Sequence, residues 1–300
     1  MTEMRFPDVP VGAEASEPAR GKGAARLAVL GDPIEHSRSP QLHLAAYRVL
    51  GLDWEYWRWQ LTKGGLAPAL ESRGPSWRGF SVTAPLKAEA LAFAAATDPT
   101  AKLTGAANTL VFDALDAGSG ATAYNTDVAG IVAALDKYQP AARSADVLGA
   151  GDTAASAAVA AAELGAKQVR VWARRPEAAA QLASGLAERG MQTPVISGNL
   201  ADWRPDAETA LVIDTVPGGC PPTACLKPVK VPLLSAAYDP WPTELAKLWQ
   251  DGGGAVIAGT EMLLQQAVVQ VRLFSGRNPD AQLPNEQLIV EKMRAALETA

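Results

Sequence analysis

Short apolar runs alternate with amphipathic stretches from Arg26 onward, a pattern that predicts strands and helices taken in turn. Residues 26–30 predict a first strand, 40–50 a helix, 54–61 a second strand, 80–83 a third and 86–96 another helix. Residues 108–112 and 122–125 read as a hairpin around a Gly/Ser-rich turn. Val128, Ile131, Val132 and Leu135 then fall on one face of a helix. A second set begins near Ser144, with candidate strands at 145–148, 168–173, 194–197, 210–215, 233–238 and 255–258. After Gly259 an apolar-striped helix runs to about Phe274, and another spans roughly 285–297. No repeat of fixed period interrupts the alternation. The expected fold class is therefore α/β, as two domains with a cleft between them.

A chain of 300 residues suits two domains, and 48% hydrophobic with 20% charged residues is an ordinary globular balance with a large buried core. A net charge of −5 with both signs scattered excludes a basic footprint for nucleic acid and a polybasic membrane patch. No apolar run reaches the roughly 18–20 residues of a membrane span. Residues 1–24 mix Glu, Pro, Gly and Ala without the apolar segment of a secretory signal, and read as a disordered extension. Cys220 and Cys225 are too few for a disulfide framework and wrongly spaced for zinc. They read as loop thiols, so no metal is expected and the cytoplasm is the expected compartment. His36 and His43 lack metal partners in the sequence and read as structural.

Gly149-Ala150-Gly151-Asp152-Thr153-Ala154 has the spacing G-x-G-x-x-A between a predicted strand and a helix-forming run. Gly149 permits a tight turn, Gly151 lets the backbone approach a pyrophosphate, and Ala154 allows close helix–strand packing. The phosphates would rest on N–H groups at the helix start. The next predicted strand ends in Arg174-Arg175, where an NAD enzyme usually carries an acid for the ribose 2′-hydroxyl. Two guanidiniums suit a 2′-phosphate, so NADP is the expected cofactor; solvated surface arginines are the plainer alternative.

Outside that unit stand four polar segments: His36-Ser37-Arg38-Ser39-Pro40, Ser81-Val82-Thr83-Ala84-Pro85-Leu86-Lys87, Gly105-Ala106-Ala107-Asn108-Thr109 and Asn125-Thr126-Asp127-Val128-Ala129-Gly130. A fifth is Gly259-Thr260-Glu261-Met262-Leu263-Leu264-Gln265-Gln266, and Tyr238 precedes Pro240 and Thr243. In this order the five segments resemble the shikimate dehydrogenase family, over about residues 26–297. The resemblance implies a substrate-binding domain at 25–123, completed by helices at 259–300, beside a Rossmann-like NADP-binding domain at 124–258. It implies that Ser37 and Ser39 bind the substrate carboxylate, that Thr83, Asn108 and Gln266 meet its hydroxyls, and that Tyr238 lines the pocket. Lys87 and Asp127 match the catalytic pair, and Gly149 to Ala154, Arg174, Arg175 and Gly259 the nucleotide contacts. The implied reaction is NADP-dependent reduction of 3-dehydroshikimate to shikimate, by a monomer or homodimer.

The chemistry stands apart from the family: a ketone needs a hydride on carbon and a proton on the developing alkoxide, and an ammonium can supply the proton. Pro85 is placed to open a helix with Lys87 in its first turn. Taken singly the residues have plainer readings, since Ser39 and Asp127 could be helix caps and Lys87 a surface lysine. Ser81 stands where the family commonly has Asn, Leu44 where Asn is usual, and Ala173, Arg175 and Asp214 replace Asn, Thr and Asn of nucleotide-side signatures. Competing readings are a quinate/shikimate or aminoshikimate dehydrogenase using NAD, and a weakly active nucleotide-binding sensor.

Overall fold

The computed structural model describes residues 25–112, 120–138, 143–220 and 230–298. The N-terminal extension, the Gly/Ser-rich turn of the hairpin and Cys225 lie outside the described residues. In chain order the strands are β1 (Arg26–Gly31), β2 (Glu55–Gln60), β3 (Trp77–Val82), β4 (Ala96–Thr97), β5 (Thr109–Val111), β6 (Thr122–Tyr124), β7 (Ser144–Leu148), β8 (Gln168–Ala173), β9 (Val195–Asn199), β10 (Thr209–Asp214), β11 (Leu233–Ser235) and β12 (Val256–Ala258). The helices are α1 (Ser39–Leu50), α2 (Leu66–Glu71), α3 (Lys87–Phe93), α4 (Pro99–Thr104), α5 (Asp127–Leu135), α6 (Asp152–Glu163), α7 (Pro176–Glu188), α8 (Glu244–Asp251), α9 (Gly259–Phe274) and α10 (Glu286–Glu298). They fall into two compact units. Among the described residues, one holds those up to Ala101, Ala106–Thr126 and those from Ala267 on; the other holds Lys102–Gly105 and Asp127–Gln266.

The first unit is built on a mixed sheet of order β2-β1-β3-β5-β6-β4. β1 runs parallel to both β2 and β3, and the hairpin read from the sequence is β5 against β6. Leu27 to Leu30 are buried without alternation, which is why β1 reads as an unbroken apolar run. The C-terminal α10 packs along α1, and the Arg38 guanidinium donates to the Leu297 carbonyl. The helix expected at 86–96 stops at Phe93. Alanine favours helix, but Ala95 and Ala96 both give their N–H to the Ala121 carbonyl, and strand pairing overrides the local preference.

The second unit has a six-stranded, wholly parallel sheet of order β12-β11-β10-β7-β8-β9. The chain winds outward from β7 in one direction and from β10 in the other, so the strand order reverses between them. Ligands of such sheets bind beyond the carboxyl ends of the strands at that reversal. Small side chains of α6, from Ala154 to Ala161, are buried against the sheet and let the helix backbone approach it. The strand expected to reach Tyr238 ends at Ser235, because Ser235 already faces Asp214 and Ala258, the last residues of its two neighbours. On the other face of the sheet the fully buried Asp146 binds Arg170 twice, at 2.6 and 2.9 Å, and accepts from the indole N–H of Trp172 and Trp203.

Candidate active site

In the first unit, β1 and β3 run parallel, so the segments that follow them emerge at the same end. Ser37 lies in the segment after β1. Ser39 is the first residue of α1, which is entered through Arg38 without a side-chain cap, so Ser39 does not cap the helix. The Ser37 hydroxyl donates to the Ser39 hydroxyl at 3.3 Å. After β3, Thr83 gives its N–H to the Leu30 carbonyl and takes that of Leu86, turning the chain into α3. Lys87 is the first residue of α3 and is buried; Pro85 stands two positions ahead of the helix rather than opening it. The Lys87 carbonyl accepts from Ala107 N–H at 3.0 Å, and the Asn108 carbonyl accepts from Val82 N–H at 2.7 Å. Five sequence-derived residues, Ser37, Ser39, Thr83, Lys87 and Asn108, thus come together at one end of the first sheet.

Behind them lies a buried polar chain. The Gln270 carbonyl oxygen accepts from the Ser81 hydroxyl at 2.7 Å and faces His43 Nε2 at 3.1 Å, while its amide nitrogen donates to Thr109 Oγ1 at 2.9 Å and to the Asn108 carbonyl at 3.2 Å. The Asn108 side-chain oxygen accepts from Thr126 N–H at 2.8 Å and from the Thr109 hydroxyl at 2.9 Å, which fixes the amide's orientation. His43 stacks on Tyr56 at 4.1 Å and meets the Tyr47 hydroxyl at 3.1 Å. Burial pushes its imidazole down to about 3, against the Gln270 hydrogen bond, so it stays neutral. The Tyr56 hydroxyl donates to Ser81. Ser81, the departure from Asn, is thereby served by a glutamine amide and a phenol. Neither Gln270 nor Tyr56 stands out along the chain, because a polar residue on an apolar helix and an aromatic one in a strand are ordinary core patterns.

In the second unit the glycine turn follows β7. Gly149 has φ +112°, and a Cβ there would lie 2.4 Å from Thr215 Oγ1, so both the backbone and the neighbour demand glycine. Thr215 holds this turn by donating to the Leu148 carbonyl at 2.7 Å. Nothing lies within 4 Å of a Cβ built on Gly151, and no side chain caps the start of α6 at Asp152. Ala150, Asp152 and Thr153 are half-buried and Ala154 is buried. Arg174 and Arg175 are exposed directly after β8, Gly259 follows β12, and Tyr238 stands three residues past β11. A glycine turn, an uncapped start of a twelve-residue helix and two cations beyond the adjacent strand fit a dinucleotide with a 2′-phosphate.

Asp127 is the first residue of α5 and Gln266 lies on α9; both are buried. A Cβ on Gly130 would meet Gln266 Cβ at 2.7 Å and the Met262 carbonyl at 3.0 Å. That close approach aligns α5 with α9, and Asp127, one turn before Gly130, shares its face. An isolated glycine within the apolar helix pattern was the available signal.

Asp214 is fully buried with its carboxylate turned into its own loop, accepting from Val216 N–H at 3.0 Å and Cys220 N–H at 2.8 Å. It therefore presents no charge toward the glycine turn. Burial lifts its carboxyl to about 6, opposed by the Cys220, Val216 and Ser235 hydrogen bonds, and pushes the buried Cys220 thiol up to about 12. With the folded value above the unfolded one, its stabilising contribution is full below about pH 3.8 and is lost as pH rises through about 6. The swing is about 3 kcal/mol at most. Asp214→Asn should flatten the decline of urea-unfolding stability across this window; a pH slope identical to that of the parent protein would contradict the assignment.

The fold and these residues define a class: a two-unit α/β dehydrogenase with a Rossmann-like nucleotide unit. Residues 29–110 match the shikimate dehydrogenase substrate binding domain. An NADP(+) shikimate dehydrogenase of Moorella thermoacetica is 33% identical over 264 residues, covering 84% of this chain and 88% of the relative. The crystal structure of Mycobacterium tuberculosis shikimate dehydrogenase is 40% identical with a TM-score of 0.75, covering 92% of this chain and 99% of that one. That of Thermus thermophilus, in complex with NADP(H) and shikimate, is 29% identical with a TM-score of 0.75, covering 91% and 99%. The chain belongs to the shikimate dehydrogenase family.

Proposed function

We propose that this chain catalyses the reversible NADP-dependent reduction of 3-dehydroshikimate to shikimate, within aromatic amino acid biosynthesis. The observation that carries the reading is near full-length similarity to NADP(+) shikimate dehydrogenases. The gathering of Ser37, Ser39, Thr83, Lys87 and Asn108 at one sheet end supports it. In this proposal residues of the first unit supply most of the substrate contacts. The Ser37 and Ser39 hydroxyls hold its carboxylate, Thr83, Asn108 and Gln266 hold its hydroxyls, and Tyr238 lines the pocket. The second unit binds the nucleotide. N–H groups of the turn from Gly149 to Ala154 hold the pyrophosphate, Gly259 allows close approach, and Arg174 and Arg175 hold the 2′-phosphate.

When bound, NADPH supplies a hydride to the carbonyl carbon. The Lys87 ammonium donates its proton to the carbonyl oxygen and stabilises the charge developing there; in the reverse direction the amine takes that proton back. The Asp127 carboxylate accepts a hydrogen bond from the substrate hydroxyl. Among the described residues no helix is long and apolar enough to cross a membrane. The proposal places the enzyme in the cytoplasm as a monomer or homodimer, to be checked by fractionation and light scattering.

The test pairs shikimate and quinate with NADP and NAD in a spectrophotometric assay. Shikimate with NADP should be the fastest combination, and quinate with NAD leading would overturn the reading. Replacing Arg174 and Arg175 together by Ala should raise the KM for NADPH roughly 10- to 100-fold, the weight of two solvent-exposed charge-assisted contacts, and hardly alter that for NADH. Equal effects on both cofactors would remove the 2′-phosphate assignment.

A further inference from the structure

Two neutral hydroxyls are an incomplete receptor for a carboxylate, because they donate hydrogen bonds without balancing its charge. The residues around Ser37 and Ser39 contain a candidate for the missing charge. On β2, Tyr56 and Arg58 are two positions apart, so both project from the same face of the strand. That face turns toward the serine segment. The Tyr56 hydroxyl lies near Ser39, and the Arg58 guanidinium donates through Nε and Nη2 to the Ser37 carbonyl at 2.9 and 2.6 Å. Arg58 Nη2 also reaches Gln41 Oε1 at 3.3 Å, so one guanidinium links β2, the Ser37 turn and the first turns of α1.

We propose that Arg58 is a positioning and specificity-determining residue for substrate binding: it braces the Ser37 turn and supplies the positive field that favours an anionic substrate at Ser37 and Ser39. The inference rests on the reading of these two serines as the carboxylate contacts. Both parts follow from the geometry. Ser37 sits in a turn with no regular element of its own, and two N–H groups of a planar fork on one carbonyl hold it where a single flexible contact would not. The bonded carbonyl belongs to the residue whose hydroxyl donates, so the cation lies only a few ångströms behind the binding hydroxyl. A unit charge at about 7 Å, with an effective dielectric of about 35, between near-surface and bulk-water values, changes anion binding by roughly tenfold. The guanidinium is charged whether or not a ligand is present, so the field is fixed in advance of binding.

The experiment compares shikimate with its neutral methyl ester in the NADP-dependent oxidation, for the parent protein, Arg58→Met and Arg58→Lys. Arg58 is only half-buried, so both variants are expected to fold, which circular dichroism and an unchanged KM for NADP verify. In Arg58→Met, kcat/KM for shikimate should fall about tenfold or more through KM, with the ester affected much less. The acid-to-ester preference therefore shrinks. Arg58→Lys, which keeps the charge and loses the fork, should restore most of that preference while retaining a raised KM for both compounds. Acid and ester falling equally in Arg58→Met would overturn the field, and an unchanged KM for shikimate in both variants would overturn the proposal entirely. Absence of shikimate oxidation in the parent protein would instead be a failure of the functional reading, so the two outcomes are separable.

Discussion

Lys87→Ala should lower kcat by about 10²- to 10⁴-fold while leaving the KM for shikimate within a few-fold of the parent value. The asymmetry follows from what Lys87 does in the proposal. Ser37, Ser39, Thr83 and Asn108 hold the substrate in both ground and transition states, so their contribution survives the truncation. The proton on the carbonyl oxygen is needed only as the hydride arrives, and without the ammonium that oxygen develops its charge unassisted. The fold should tolerate the change, since Lys87 is the first residue of α3 and the backbone bond from Ala107 to its carbonyl does not depend on the side chain. Asp127→Asn should also depress kcat, and the double variant should fall little below Lys87→Ala alone if the two act as one unit. Stopped-flow turnover at saturating shikimate and NADP measures this. An unchanged kcat in Lys87→Ala would remove the residue from the mechanism, and strictly multiplicative losses would separate Asp127 from it.

The largest loss of stability is expected from Arg170→Met in the second unit, at about 3–5 kcal/mol. Asp146 is fully buried on β7, and Arg170 on β8 meets both of its oxygens, at 2.6 and 2.9 Å. Removing the guanidinium leaves a carboxylate in the sheet interior with, among the described residues, the indole N–H groups of Trp172 and Trp203 and the Thr209 hydroxyl as donors. These soften the penalty without neutralising the charge. Arg170 also binds Asp206 at 2.7 Å, but that side chain is 53% exposed, so Asp206→Ala should cost under about 1 kcal/mol. Urea unfolding followed by tryptophan fluorescence reads both variants, since two of the indoles contact Asp146 directly. Losses of similar size in Arg170→Met and Asp206→Ala would show that the buried pair is not what holds this face together.

Neither Asp146 nor Arg170 stood out in the sequence, and the reason is general to this fold. A charged residue in an apolar strand is legible as an oddity, but its partner is set by strand order, and β8 is known to lie beside β7 only once the sheet is assembled. The same limit hid Gln270, whose four contacts come from α1, β3 and the residues opening β5. By contrast, the ends of β8 and the start of α9 at Gly259 were readable, because a switch between two hydrophobic periods is a local signal. The short β4 was not, since Ala95 and Ala96 are helix formers pulled into pairing by Ala121.

By itself the sequence determined the alternation of strands and helices, the six strands of the second unit, the glycine turn after β7, the pair of arginines after β8 and the ordered motifs of the family. Each of these is written in neighbouring residues, where steric and periodic requirements act over a few positions. Only the tertiary structure decided that Ser39 opens α1 without capping it and that Asp214 turns its carboxylate inward. It alone showed that Gly130 brings α5 against α9 and that Arg58 grips the carbonyl of Ser37. Those facts depend on which distant backbone or side chain arrives within hydrogen-bond or van der Waals reach, and that is settled by packing between elements rather than by any stretch of chain read alone.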